Sequence, residues 1–477
     1  MSPTSTERRR SAEPPRAFEL RPRSFARFRR ARAALIVVLV VLCALFLTLG
    51  YLQGPKLSSA QVDVTSVITQ PGQQLRLFAN QSLAQVKAGQ VTVTPDVAHS
   101  VTTQGQVIAV QFNALLQYST TYSVTVREVT SVYQAQPATI SYSFTTAGPT
   151  LYYLDRGPTG DTIATTTITG TGRTALYSAQ HIQDFVVTDG ALAVATLNAD
   201  NTSSLALVSR TDGAVEQVIL PDKGVVQKLG AAGSGTMIGF TLTSAGGSIA
   251  PTYSSTLMVL NLEGARKVQP VGGLDGTPMR VLGWEFLPQG SSLLALTRDR
   301  SLFAVDPLTS GSVAPLGQFT ELGPISRDGT IVTVNDPFGS AALTIADGSQ
   351  RRLVPSPLAG DSSKVYLGPA EVLGSGARLE KVVIAQPGGT RFSSAIVLDD
   401  GAASSVIYRT PRDAGSIESF SVSPNGQYVA IDVVPDISAA VSDGYYFDAR
   451  STSTETVIVE IATGRIVKSV EGFSLAW

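Results

Sequence analysis

Two interleaved families of glycine turns constrain this chain more than any other feature. One lies between pairs of apolar segments, at Gly172, Gly213, Gly264, Gly311, Gly348, Gly401 and Gly464. The other lies upstream, at Gly190, Gly235, Gly290, Gly329, Gly374 and Gly426. Their mean spacings, about 49 and about 47 residues, mark a long internal repeat. Between the turns, apolar residues alternate with period two in short runs, which reads as strands. Two turns per unit imply four strands. One such unit cannot bury its faces alone, so the units must stack.

A four-stranded repeat of this length is the unit of a β-propeller. The count of seven turns against six is explained at the ends. The repeat opens in mid-unit at Leu151-Tyr-Tyr-Leu154, and the chain stops at Gly472-Phe-Ser-Leu-Ala-Trp477, which reads as the first strand of a unit. Phe473 takes the place of Phe420 and Trp284 in other units. We expect this strand to complete the first blade and remove two open edges. Seven blades sharing Thr150 to Trp477 take about 47 residues each, matching the repeat. The rival arrangement is a second array of sandwiches.

The clearest copy, Phe420-Ser-Val-Ser-Pro-Asn-Gly-Gln-Tyr-Val-Ala-Ile431, resembles the repeat of WD40-like propellers of the TolB type, with Asn425 where that repeat usually has Asp. The swap is expected to be tolerated because both residues accept left-handed turns. Ile325-Ser-Arg-Asp-Gly-Thr-Ile331 is a second copy. The resemblance implies architecture and no particular function.

The 477 residues carry 36 bases and 37 acids, a balance that argues against nucleic-acid binding. The charge is uneven, with ten arginines and three glutamates before residue 33. Ala33 to Leu52 then holds no charge and thirteen Leu, Ile, Val or Phe residues. These contribute on the order of −4 to −8 kcal/mol to membrane insertion, and twenty helical residues span about 30 Å. The positive-inside rule places the N-terminus in the cytoplasm and everything after Lys56 outside. Cleavage after Ser58-Ser59-Ala60 is the alternative. Cys43 lies mid-span and is expected to face lipid.

After residue 60, strands are expected at Val62 to Ile68, Gln74 to Phe78, Gly89 to Thr94, Val107 to Phe112, Thr121 to Val126 and Ile140 to Thr145, a sandwich count. Tyr118-Ser-Thr-Thr-Tyr122-Ser-Val-Thr-Val126 and Phe144-Thr-Thr146 resemble bacterial Ig-like domains of surface-layer and cell-wall proteins. The expected fold class is mainly β: one N-terminal transmembrane helix, an Ig-like β-sandwich and a seven-bladed β-propeller closed by the C-terminal strand. The divisions are a basic disordered leader (1–32), a membrane helix (33–52), a linker (53–60), the sandwich (61–147) and the propeller (150–477).

Chemistry is sparse. His99 and His181 lie in different domains, so neither a hydrolytic triad nor a histidine metal site is expected. One cysteine excludes an intramolecular disulfide, and no phosphate-binding glycine loop opens a helix. No cofactor, metal or catalytic residue is expected. Asp399-Asp400 precede Gly401 and read as turn residues.

Insertions are more informative. Excess length falls between second and third strands at Thr241 to Ser255, Asn335 to Ala341, Ala385 to Ser394 and Pro435 to Glu455. In a propeller these connections share one face with the blade-to-blade links, and loops on a rigid scaffold carry binding residues. The longest holds Tyr445, Tyr446, Phe447, Asp448 and Arg450, an aromatic and charged group suited to a peptide or sugar. Tyr253 is expected on the same rim. The alternative is that Tyr445 to Phe447 pack on their own blade. The sequence thus reads as a single-pass, non-enzymatic binding or scaffold protein of the bacterial envelope. Its expected partners are the lipid bilayer and an envelope protein, peptide or glycan. A propeller hydrolase using carboxylates in the central funnel is the other reading. Acids clustered in the channel favour the hydrolase, and an aromatic rim favours binding.

Overall fold

The computed structural model describes residues 23–51, 53–246, 252–264, 266–309, 312–359, 364–374, 376–385, 392–411 and 414–477. The chain divides into two compact units. One comprises Met1–Val62, Gln74–Gln111 and Ser123–Ser143, and the other Asp63–Gln73, Phe112–Tyr122 and Phe144–Trp477.

The first unit opens with α1 (Arg23–Tyr51). Side chains are described from 28 to 46, a stretch that begins with Arg29, Arg30 and Arg32 and then turns wholly apolar. Among the described residues no helix is long and apolar enough to cross a membrane. The described apolar part, 33–46, is about 21 Å of helix, and the rest of the expected span lies outside the described side chains. Cys43 is exposed on α1. The chain then forms a four-stranded sheet (57–61, 74–79, 107–112, 99–104) and a three-stranded one (91–94, 121–129, 138–145), of which residues 112, 121–122 and 144–145 are counted in the second unit. Alternating side chains build the core, with Leu75, Leu77, Ile108, Val110, Val124 and Val126 almost wholly buried.

Two strand assignments change. The first strand is Leu57–Gln61, in the expected linker, whereas Val62 to Ile68 is not a strand. There, Asp63 accepts from the Thr65 and Ser66 N–H groups (2.9 and 3.0 Å), turning the chain into a short helix at Ser66–Thr69. His99–Gln104 is a further strand, with no fully buried side chain to reveal it.

From Thr150 onward the described residues form seven four-stranded antiparallel sheets. Six are consecutive meanders. The other runs Thr174–Ala179, Gly160–Thr167, Thr150–Gly157 and then Phe473–Ala476, so the C-terminal strand is its inner member. Phe473 pairs with Leu154 and Ala476 with Tyr152. Each turn glycine of the first family that is described falls between third and fourth strands, and each of the second between first and second. Gly311 lies outside the described residues. The missing fourteenth turn, the seventh of the second family, is the closure itself, because there the first and second strands come from opposite ends of the repeat.

Apolar clusters seal every seam. The first and second sheets share Leu154, Ile163, Phe185 and Phe473, and the second and third share Leu207, Ile238 and Met258. Trp284 and Phe286 join the third and fourth, and Leu294 and Val334 the fourth and fifth. Ala342 and Val372 join the fifth and sixth, Ile396 and Val457 the sixth and seventh. Val470 meets Tyr153 and Ala164 at the last seam. Within the second unit, residues 150–477 therefore form a closed β-propeller ring. Closure requires glycine at 472, since a Cβ there would lie 2.6 Å from the Leu154 carbonyl oxygen.

Ser326 and Ser423 explain the two clearest repeat copies. Each hydroxyl accepts an N–H across the turn, from Ile331 (2.9 Å) and Tyr428 (2.9 Å) respectively, and donates to Asp328 or Asn425. Asn425 replaces Asp as a side-chain acceptor, receiving the Gln427 N–H, while the left-handed residue is Gly426 (φ 71°). The left-handed explanation for Asn425 is therefore replaced by an Asx turn. In the sixth sheet Gly376 (φ 83°), not Gly374, takes that conformation.

Candidate functional site

In each meander the second-to-third connections and the sheet-to-sheet links emerge on one face. The connection 435–454 is the longest there. Asn335 to Ala341 holds no insertion: strands Ile331–Asp336 and Gly339–Thr344 meet in a tight turn that projects Phe338. Of Ala385 to Ser394, residues 386–391 lie outside those described.

The long connection separates its aromatic residues. Tyr445 turns inward, its ring 3.8 Å from the Arg156 guanidinium and edge-on to His181 at 5.3 Å. Its hydroxyl donates to Asp161, so burial and that hydrogen bond push the phenol above its ordinary pKa. Burial also raises Asp161, which accepts the Ile182 N–H at 2.6 Å. Arg156 is buried against Asp443 (2.7 Å) and donates to the carbonyls of Asp448, Ile182 and Gln183. Phe447 accepts from the Gln183 amide at 3.2 Å. This side of the loop is a strap across the closing seam.

Tyr446 points outward, 72% exposed, touching Phe447 edge-on. Phe338 (87% exposed), Tyr366 and Phe392 stand exposed in the two preceding sheets, and Ile437 and Val441 in the strap. Arg352 lies 5.9 Å from the Phe338 ring and Lys364 4.9 Å from that of Tyr366. Tyr253 is placed differently: half-buried, it packs on the seam between the second and third sheets, its N–H donating to the Ser244 hydroxyl and its carbonyl accepting the Ser244 N–H.

Asp448 and Arg450 line a cavity of about 500 Å³ with Asp184, Lys228, Leu282 and Ser474. Arg450 also binds Glu418 at 2.7 Å and covers the Phe473 ring at 5.3 Å. Burial raises Asp184 to a pKa of about 6, despite N–H donors from Leu229 and Phe185 (both 2.8 Å). Glu285 is likewise raised by burial and lies within electrostatic reach of Lys228, Arg327 and Glu371, which come from three other sheets and so converge on the ring's centre. Glu371 is held by both forks of Arg327 (2.7 and 3.2 Å). The channel thus mixes acids with bases. Sequence reading missed Arg156, Asp184 and Lys228; the available signal was a charged residue within an apolar strand of the ring, as in Ile182-Gln-Asp-Phe185. Among the described residues no group of acids, histidines or cysteines is arranged to hold a metal ion.

No family model matches this chain, and no curated protein matches it. Similar solved structures include TolB from Acinetobacter baumannii, 13% identical over 81% of this chain and 81% of that one, with a TM-score of 0.35. The Cps50 (Swd1) β-propeller domain of Myceliophteria thermophila is 13% identical over 62% and 88%, with a TM-score of 0.37. The acylaminoacyl peptidase of Pyrococcus horikoshii is 9% identical over 74% of this chain and 51% of its own, with a TM-score of 0.42.

Proposed function

We propose that this is a membrane-anchored, extracytoplasmic binding or scaffold protein of the bacterial envelope, with a seven-bladed propeller whose strap-bearing face takes a protein, peptide or wall glycan. In this reading residues 33–52 cross the bilayer, residues 1–32 remain in the cytoplasm, and an Ig-like spacer precedes the propeller. The uncharged run to Leu52 and the helix reaching Tyr51 support the anchor. The binding face rests chiefly on one observation: three consecutive sheets expose Phe338, Tyr366, Phe392 and Tyr446 on one side of a rigid ring. Exposed aromatic residues suit stacking on a peptide or sugar, and Lys364 beside Tyr366 adds a cation, whereas Arg352 beside Phe338 is held by Asp336.

The test is photocrosslinking on intact cells from probes at residues 338 and 446. Capture of one envelope component, weakened by Tyr446→Ala, is expected; identical capture from a probe on the opposite turn at Gly401 contradicts the assignment. The hydrolase reading draws on Asp184, whose raised pKa suits proton transfer. It requires turnover of a peptide, ester or glycan that Asp184→Ala abolishes.

A further inference from the structure

We propose that the loop joining strands Thr121–Val129 and Ala138–Thr145 lies in the headgroup layer of the outer leaflet, with Val132 and Tyr133 as its anchors. The proposal rests on the membrane-anchor reading above.

Chain length supplies the first constraint. Gly54 follows Tyr51, the last residue of α1, by three residues, which reach at most about 11 Å. Gly54 is packed against this loop: a Cβ there would lie 2.9 Å from the Gln136 carbonyl oxygen and 3.0 Å from the Ala138 Cβ. Neighbouring contacts tie the same end together. The Gln53 carbonyl accepts from Gln81 (3.4 Å), the Lys56 N–H donates to Asn80 (2.8 Å), and the Val132 N–H donates to the Ser82 carbonyl (3.1 Å). Wherever α1 leaves the bilayer, this end of the first unit stays within a few residues of it.

The surface chemistry suits that position. Val132 and Tyr133 are 56% and 78% exposed, held outward while Ser131 is buried and its hydroxyl accepts the Tyr133 N–H at 3.2 Å. Single exposed apolar residues are ordinary on a soluble surface. An adjacent aliphatic and tyrosine beside a membrane helix are the residue types that partition to the interface, the ring in the apolar layer and the hydroxyl in the wet one. Stretches 53–62, 80–86 and 129–137 contain no acid and one base, Lys56, and the carboxylates nearest in the chain, Asp63 and Glu128, lie just outside them.

The test uses the full chain in phosphatidylcholine vesicles, with an environment-sensitive dye on Tyr133→Cys in a Cys43→Ala background. We expect a blue-shifted emission that headgroup spin-labelled lipid quenches, while the same dye on Ala98→Cys, at the far end of strand His99–Gln104, is not quenched. A dye on native Cys43 in the otherwise unaltered chain should be quenched by lipid labelled deep in the acyl chain. Quenching at 43 without quenching at 133 overturns the loop's docking and leaves the anchor intact. Quenching at neither site overturns both.

Discussion

Arg156 and Arg378 are both buried in the ring, yet they do opposite things. Arg156 joins the first sheet to Asp443 in the strap before the last three strands, stacks on Tyr445 and Phe473, and directs its remaining donors to carbonyls. Arg378 serves its own sheet: Nε donates to Glu380 at 2.7 Å and the far end of the guanidinium to Asp399 and the Val354 carbonyl. One cation there faces two buried carboxylates, and Glu380 Oε2 has no hydrogen-bond partner. The first site links the two ends of the ring, and its second carboxylate, Asp161, accepts the Tyr445 hydroxyl and the Ile182 N–H; the second site is local and leaves one carboxylate oxygen unpaired. Burying a charge is tolerable only when it is fully compensated.

The sharpest break in that comparison is Asp443→Ala. It strands a buried guanidinium at the closing seam and should cost about 3–5 kcal/mol in a urea titration of the full chain. A loss below about 1 kcal/mol would make the strap incidental. Tyr445→Phe removes only the hydroxyl on Asp161 and should cost about 1.5–3 kcal/mol, the scale of a hydrogen bond to a charged group. At the other arginine the sign should reverse. Burial, helped by the charge on Asp399 and opposed by Arg378, raises the Glu380 pKa above its ordinary 4.5. The folded chain therefore holds a proton the unfolded one releases, and this contribution is complete below pH 4.5 and is lost as pH rises through the folded value. Glu380→Gln should be more stable than the parent by about 1 kcal/mol at pH 8, with the gap closing at pH 4.5. A loss at pH 8 would show that the second carboxylate is needed. The smallest effect belongs to Tyr446→Ala, within about 0.5 kcal/mol because its side chain is exposed.

Much of the ring was legible because tight turns demand glycine irrespective of what the strands pack against, as at Gly213, Gly264 and Gly426. Strand His99–Gln104 was not, because its sequence, His-Ser-Val-Thr-Thr-Gln, lacks apolar alternation. Asn335 and Asp336 read as loop residues, yet both lie at the end of an interior strand, paired with Ser340 and Gly339. For the candidate site, loop length pointed to the Tyr445–Arg450 segment. It could not separate Tyr445 from Tyr446, since the partners that turn Tyr445 inward, Arg156 and Asp161, lie almost three hundred residues upstream.

A closed ring requires the C-terminal strand to be an integral part of the first sheet. Hydrogen–deuterium exchange of the intact chain measures this directly, by comparing amides of Phe473–Ala476 with those of their partner Thr150–Gly157. The two strands should be protected alike and open together when denaturant is added. Exchange of the C-terminal amides within seconds, while Thr150–Gly157 stays protected, would contradict ring closure.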